Sequence, residues 1–469
     1  MKLFCSVRVW RGLCGRRRSS SSTSSSTSSS TSSSINIIIA LAALLTHAGA
    51  QAQFAGQAAA ARTDVTGTAG PPLSVFDTMQ LAERNAPGLD ARQSAADMSS
   101  AMAESARALP DPKLKFGIDN LPLEGREGFT LGRDFMTMRR IGIARDMPRE
   151  EKRELKSQRY QLEAQRETAM REDARLMVRR DAALAWIERH YAETAAGLID
   201  QLQREARIAY DVLIGQVRAG SATPIAAVAA QSQVRAIDDR RAEFARMAAR
   251  ARAQLERWLG TAAAARPLAS WNLASLKPAR TTLLAEGHPH LAAFALAETQ
   301  AGNDIAQAKA QEKGDWGWEV AYQARGRQFT DMVSFGIVID LPSFGQARIA
   351  PEVRARQAQR EAAERNREDA RRQHELEVKL ALADWDAANT RRANFDDALL
   401  PLAQDRISQT LAEYKGGAGK LADVLEARRN WLETRLAQLQ LEQDAARAWA
   451  QLQYFDHAAH GAALPGRVK

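Results

Sequence analysis

The sequence predicts a mostly α-helical chain with a small β part: an internal duplication in which each half reads helix, strand, strand, long helix, turn, long helix. Three observations carry that prediction. Apolar residues make up 45% and charged residues 26% of 469, while aromatics supply 6%, a balance that favours long helices with narrow apolar stripes over one thick core. Four segments alternate with the period of two that strands require. Finally, landmarks recur at a nearly constant offset. Asn85-Ala86-Pro87-Gly88-Leu89 is echoed by Gly287-His288-Pro289-His290-Leu291 at 202, and Ile141-Gly142-Ile143 with Pro148 by Phe335-Gly336-Ile337 with Pro342 at 194. Val217-Arg218-Ala219-Gly220 is echoed by Tyr414-Lys415-Gly416-Gly417 at 197. The expected organisation is a leader at 1–52, a linker at 53–72, a first repeat at 73–266, a second at 267–456 and a tail at 457–469.

The leader is basic, then a Ser/Thr run from Ser19 to Ser34 too simple to fold. Ile35 to Leu45 is an eleven-residue apolar stretch, short of the roughly 20 residues that a membrane helix needs. Ala48-Gly49-Ala50 or Ala50-Gln51-Ala52 then supplies the small-residue pattern of signal-peptide cleavage. An exported chain is expected. Lys2, Arg8, Arg11, Arg16, Arg17 and Arg18 account for six of the net +9 charges, and no acid precedes residue 53, which leaves an ordinary +3. That excludes nucleic acid as a partner. Cys5 and Cys14 also lie in the leader, so the mature chain is expected to have neither disulfide nor thiolate chemistry, nor a lipidated cysteine.

The strands follow from alternation. Leu114, Phe116 and Ile118 interleave with Lys113, Lys115, Gly117 and Asp119, and a less regular strand runs near Met136 to Asp146. In the second half, Trp316, Trp318, Val320 and Tyr322 interleave with Gly317, Glu319, Ala321 and Gln323. Val333, Phe335, Ile337, Ile339 and Leu341 interleave with Ser334, Gly336, Val338 and Asp340. Such strands suit either a half-buried soluble sheet or a tilted crossing of an outer membrane, which takes about 9–11 residues.

After each strand pair comes a long helical run. That from Ala347 to Tyr414 would extend about 100 Å at 1.5 Å per residue. Leu400, Ile407 and Tyr414 recur every seven residues, as do Leu425, Leu432, Leu439 and Ala446 in the returning helix. Leu184, Ile187, Tyr191, Leu198 and Leu202 show the same stripe in the first half, so the helices are expected to pack side by side. Ala219-Gly220-Ser221-Ala222-Thr223-Pro224 marks one reversal, with Thr223 as N-cap and Pro224 in the first turn. Gly416-Gly417-Ala418-Gly419 marks the other. Four strands cannot close a barrel, and open edges are not tolerated in lipid. Four narrow-striped helices make no globule, so self-assembly into a closed tube answers both problems.

Over about residues 73–456 this arrangement resembles the TolC-type outer-membrane efflux family. The residues that carry the resemblance are the Asn85–Leu89 and Pro289–Leu291 signatures, the paired strands, and Tyr414-Lys415-Gly416-Gly417 leading into Leu421-Ala422-Asp423-Val424-Leu425-Glu426-Ala427. The resemblance implies a homotrimer with a twelve-strand barrel in the outer membrane of a Gram-negative bacterium and a twelve-helix tunnel through the periplasm. Its implied partners are a periplasmic adaptor and an inner-membrane RND-type pump. Leu109-Pro110-Asp111-Pro112, Asp119-Asn120-Leu121-Pro122, Phe135-Met136-Thr137-Met138-Arg139-Arg140 and Leu341-Pro342-Ser343-Phe344 with Ile349-Ala350-Pro351-Glu352 resemble its heavy-metal, CusC- and CzcC-like branch. That branch implies heavy-metal cations as cargo.

A duct needs a pore that closes rather than a catalytic group. Asp423 and Glu426 stand three apart, so their carboxylates share one helix face; in a trimer they would ring the periplasmic mouth and attract cations. Against this stands the plain role of acids at a helix N-terminus. Tyr414 matches the aromatic of the family's closing contacts, whereas Gly419 and Ala226 replace its arginine and aspartate, so the usual gate bonds are expected to be missing. The resemblance makes Ala219, Gly220, Ser221, Gly416, Gly417 and Gly419 the tips that meet the adaptor. Trp316, Trp318, Tyr322 and Phe335 fit an interfacial aromatic belt.

Other signals have simpler readings. His288 and His290 could chelate, but their match to the Pro87 motif marks a helix start. Met136, Met138 and Met147 fit strand packing, and the Arg/Glu run from Arg360 to Arg372 a solvated helix face. No cofactor, resident metal or enzymatic constellation is expected. The rival readings are a periplasmic adaptor, which would carry one hairpin among several β domains, and a secreted coiled-coil scaffold without a pore.

Overall fold

The structure, a computed structural model, describes residues 70–273, 276, 287–341 and 346–456. The expected leader, its cysteines, most of the linker, the tail and Pro342–Phe344 lie outside these residues.

The first half opens with α1 (Val75–Arg84) and α2 (Pro87–Arg107), passes through β1 (Lys113–Asp119) and β2 (Met138–Met147), and continues as α3 (Glu150–Arg218) and α4 (Pro224–Ala264). The second half has α5 (Pro289–Ala310), β3 (Trp316–Ala324) and β4 (Met332–Ile339). It continues with α6 (Gln346–Asn394), a π-helical turn (Phe395–Leu399), α7 (Leu400–Lys415) and α8 (Leu421–Phe455). The proline signatures act alike, since Pro87 and Pro289 each stand in the first turn of a helix, where a missing N–H costs nothing. At α1, Ser74 Oγ accepts the Asp77 N–H at 3.1 Å while the Asp77 carboxylate accepts the Ser74 N–H at 3.3 Å, a reciprocal cap.

The helix α3 alone has 69 residues, about 100 Å of helix, and pairs with α4; α6 and α7 pair with α8 in the same way. The expected 347–414 run is not one α-helix. It widens into the π turn just before Pro401, because that proline has no N–H for the helix ladder and its ring would press on the carbonyl four residues back. Arg392 Nη1 lies 3.8 Å from the Asp396 carboxylate within the turn.

The main core gathers where the helices cross beside the start of the first repeat. Trp186, Ile187, Leu176, Leu255, Leu452 and Trp449 are buried there with Met79 of α1. The rings of Trp186 and Trp449 sit 5.1 and 5.5 Å from Trp271. Leu73 and Leu268 pair as a parallel bridge, and the Leu73 carbonyl accepts both the Ala269 N–H and the Trp186 indole N–H at 2.9 Å. A second cluster, Ile199, Leu202, Ile237 and Leu432, ties the hairpins together farther along. The stripes are used unequally. Ile187, Tyr191, Leu202, Leu432, Leu439 and Ala446 are buried, whereas Leu400, Ile407, Leu411 and Tyr414 of α7 stay half-buried.

The strands form one antiparallel sheet ordered β1-β2-β3-β4. The least regular expected strand, β2, is the longest of the four. Among the described residues β1 and β4 have no partner on their outer sides, and no helix is long and apolar enough to cross a membrane.

A candidate pore wall and its mouth

Register sorts the sheet into two faces of opposite character. Leu114, Ile143, Val320 and Phe335 stand in one row, and Phe116, Ile141, Tyr322 and Val333 in the next on the same face. Ile118, Trp316, Trp318, Ile337 and Ile339 extend it, and Arg139 and Arg145 of β2 stand on this face towards its two ends. Most of these side chains are exposed among the described residues, Phe335 at 80% and Phe116 at 72%, with Trp318 and Val320 half-buried. An apolar surface of this kind calls for a non-aqueous neighbour. The other face alternates in step, with Lys113, Lys115, Gly117 and Asp119 across from Ala144, Gly142, Arg140 and Met138, then Glu319, Ala321 and Gln323 of β3. Lys115 Nζ meets Glu319 at 2.5 Å and Arg140 Nε meets Asp119 at 3.2 Å.

The four aromatics named from the sequence share the apolar face but not one height. Trp316 and Trp318 stand at the helix end of β3 and Tyr322 near the other, where its hydroxyl is bonded to Asp331. Phe335 sits opposite Val320 at mid-strand, inside the apolar band. Of the three methionines, Met147 faces Trp316 in the apolar row, Met138 lies opposite Asp119 on the polar face, and Met136 is exposed before β2.

At the far end of the helices the two reversals have the same bonds. Gly220 and Gly417 take φ of +73° and +78°, the left-handed geometry glycine adopts freely. The Gly220 N–H donates to Val217 O and Ser221 N–H to Gln216 O; Gly417 N–H donates to Tyr414 O and Ala418 N–H to Glu413 O. Each set ties off the last carbonyls of a long helix. Thr223 and Pro224 occupy the expected N-cap and first-turn positions, but the Thr223 side chain makes no capping bond. A Cβ on Gly419 would meet Glu413 Cβ at 3.0 Å, so the position that carries an arginine in the resembled family has no easy room for one here. Ala219, Gly220, Ser221, Gly416 and Gly417 are all exposed at these tips.

Asp423 and Glu426 stand exposed in the first turns of α8. The Asp423 carboxylate accepts the Lys420 backbone N–H at 3.3 Å, so it serves the helix start, the plainer of the two expected roles. Glu426 lies 3.9 Å from Arg406 Nη2 across the hairpin. Tyr414 is half-buried in the last turn of α7, its carbonyl taken by Gly417.

His288 caps α5, its Nδ1 accepting the His290 N–H at 3.3 Å. Its Nε2 donates to the Tyr454 carbonyl at 3.0 Å, which fixes the tautomer. His290 Nδ1 lies 3.2 Å from one Asp173 oxygen, and the Tyr454 hydroxyl donates to the other at 2.7 Å. Burial alone would raise the Asp173 carboxyl, but the hydrogen bonds from His290 and Tyr454 outweigh it and hold the group below its usual value. The same bond from Asp173 raises His290 against the opposing effect of burial. Sequence reasoning found the histidines but missed Asp173 and Tyr454. Nothing local links residues separated by over a hundred positions. Among the described residues, no three His, Cys, Asp or Glu side chains are grouped as a metal site requires. In the Arg360–Arg372 run, bonds from Arg371 and Arg372 lower the Glu368 carboxyl to about 2, pairing along a solvated helix.

Comparisons with known proteins fit this geometry. Residues 282–455 match the family model described as outer membrane efflux protein, while no curated protein sequence matches. Solved structures share the fold. The CmeC outer membrane channel of Campylobacter jejuni superposes with a TM-score of 0.70 at 13% identity, over 81% of this chain and 85% of its own. VceC, an outer membrane protein of Vibrio cholerae, gives 0.67 at 18% identity over 81% and 96%. CusC, whose structures concern folding and transmembrane channel formation, gives 0.68 at 17% over 81% and 89%. Residues 282–455 thus carry the sequence pattern of the outer membrane efflux protein family, on a mostly helical, four-stranded fold that this chain shares with outer-membrane channels.

Proposed function

We propose that this protein is the outer-membrane channel of a tripartite efflux system, working as a homotrimer. The observation that carries the reading is the two-faced sheet. One face is mainly apolar, the other is charged and glycine-rich, and its outer strands have open edges among the described residues. Three such sheets joined edge to edge would close a twelve-strand barrel with lipid outside and water inside, which leaves no unpaired edge in the bilayer. The half-buried stripe of α7 would find its cover between neighbouring hairpins in the same assembly, as a twelve-helix tunnel. Exposed glycine turns at the tips fit docking to a periplasmic adaptor, which in turn would couple the duct to an RND-type pump. Asp423, Glu426 and Tyr414 would line the mouth. Heavy-metal cations as cargo are supported by the proline- and methionine-bearing motifs flanking the strands.

The reading is tested by fractionation. The processed chain should be found in outer membranes as a trimer that resists heating in detergent; a monomer soluble without detergent would refute it, and would favour the pore-less scaffold. Docking has its own test. Ser221→Trp and Ala418→Trp should weaken adaptor pull-down while trimers persist, and undiminished pull-down would remove the tips from the interface.

A further inference from the structure

The charges on the polar face of the sheet are organised around one residue. Glu319 in β3 takes Lys115 Nζ of β1 at 2.5 Å and Arg140 Nη1 of β2 at 3.4 Å, one on each oxygen. Arg140 reaches on through Nε to Asp119 at 3.2 Å. Lys115 must cross β2 to arrive there, because its own row continues through Gly142 and Ala321. The absence of a side chain at residue 142 leaves that path open, and a Cβ there would lie 2.8 Å from Ala321 Cβ. The Arg140 guanidinium in turn lies over Gly117, where a Cβ would stand 3.9 Å from Nη2.

Around these charges the face is low in relief, with Ala144, Gly317, Gly336 and Ser334 in the same rows, while the larger uncharged side chains Met138, Gln323, Met332 and Val338 stand towards its ends. The charged side chains are therefore what sets the field that a passing ion would meet. They balance: Lys113, Lys115 and Arg140 against Asp119, Asp146 and Glu319, with Lys113 and Asp146 a separate pair at 2.6 Å. Glu319 is the group that holds two cations at once, and its side chain keeps 22% exposure, enough to be felt by ions in the adjoining water.

We propose that Glu319 determines the charge selectivity of the barrel wall: by holding Lys115 and Arg140 across three strands and, with Asp119, balancing their charge, it keeps this stretch of the bore without net charge. This rests on the duct reading above. Rings of like charge select ions of opposite sign. Without the Glu319 charge each chain would present one net positive charge to the bore, repeated around the ring. The field reaches about 10 Å at 0.1 M salt and about 30 Å at 0.01 M, so the effect belongs to dilute salt.

Purified trimers in planar bilayers under a gradient of dilute KCl provide the test. Glu319→Gln should move the reversal potential towards that of chloride, Glu319→Asp should restore the wild-type value, and the paired Lys115→Gln and Arg140→Gln variant should move it towards potassium. Opposite shifts in the two directions establish the role, and where one variant fails to insert, a shift of the expected sign in the other supports it. Conducting variants with the wild-type reversal potential overturn it and leave the duct reading standing. A wild-type trimer that passes no current in any state overturns both.

Discussion

Asp173, His290 and Tyr454 bring three distant parts of the chain onto two carboxylate oxygens, and the linkage of this cluster to pH has a definite sign. Asp173 is lowered, so its contribution is complete above the ordinary carboxylate value near 3.9 and is lost as pH falls through its folded pKa. His290 is raised, so its contribution is complete below about 6.5 and is lost as pH rises through its folded pKa. The cluster therefore binds most tightly between those values. Arg180 stacks over the Tyr454 ring at 5.1 Å, and Glu377 acts electrostatically on both Tyr454 and His290. His290→Gln should lower the thermal midpoint most near pH 5.5, with the gap to wild type narrowing towards pH 8.5. A gap independent of pH would mean that the imidazolium pair contributes nothing.

Each strand of the sheet places neighbouring residues in opposite surroundings, which makes adjacent substitutions a sharp test of an element. Phe335 is on the exposed apolar face at mid-strand and Ser334 is on the charged reverse. If the apolar face meets lipid, Phe335→Arg should cost about 2–4 kcal/mol, the penalty of a cation near the bilayer midplane, and Ser334→Arg far less. Folding into lipid vesicles, followed by the gel shift of the folded form, would measure both. Equal losses would argue for a water-facing sheet. Among the helices, the π turn at Phe395–Leu399 shows how one residue alters an element: Pro401 cannot join the ladder, so the helix widens before it instead of breaking.

Across the whole molecule, the apolar sheet face, its two edges and the half-covered α7 stripe are left without full cover among the described residues. A trimer would cover them together, which is why assembly and membrane insertion belong to one proposal. In that trimer Asp423 and Glu426 from each copy would come near one another at the mouth. Replacing both with Ala should reduce block of the conductance by multivalent cations. Block unchanged in the double variant would leave Asp423 as the helix-start acid that its bond to the Lys420 N–H already makes it. Arg406, 3.9 Å from Glu426, would temper such a ring's charge, and Arg406→Gln should deepen the block.

Much of this architecture was legible along the chain because its causes are local. Alternation in Trp316–Tyr322 and Val333–Ile339 specified strands and their faces, glycine at Gly220 and Gly417 specified left-handed turns, and the proline signatures specified two helix starts. Each depends on a residue and its near neighbours in sequence. Register supplied what alternation cannot: it set Phe335 at mid-strand instead of at a rim, put Met138 on the polar face, and led Lys115 over Gly142 to Glu319. Packing likewise joined Asp173 to Tyr454 and left the α7 stripe half-covered. Such pairings depend on which backbones lie 5–10 Å apart after folding, and a linear pattern holds no information about that distance.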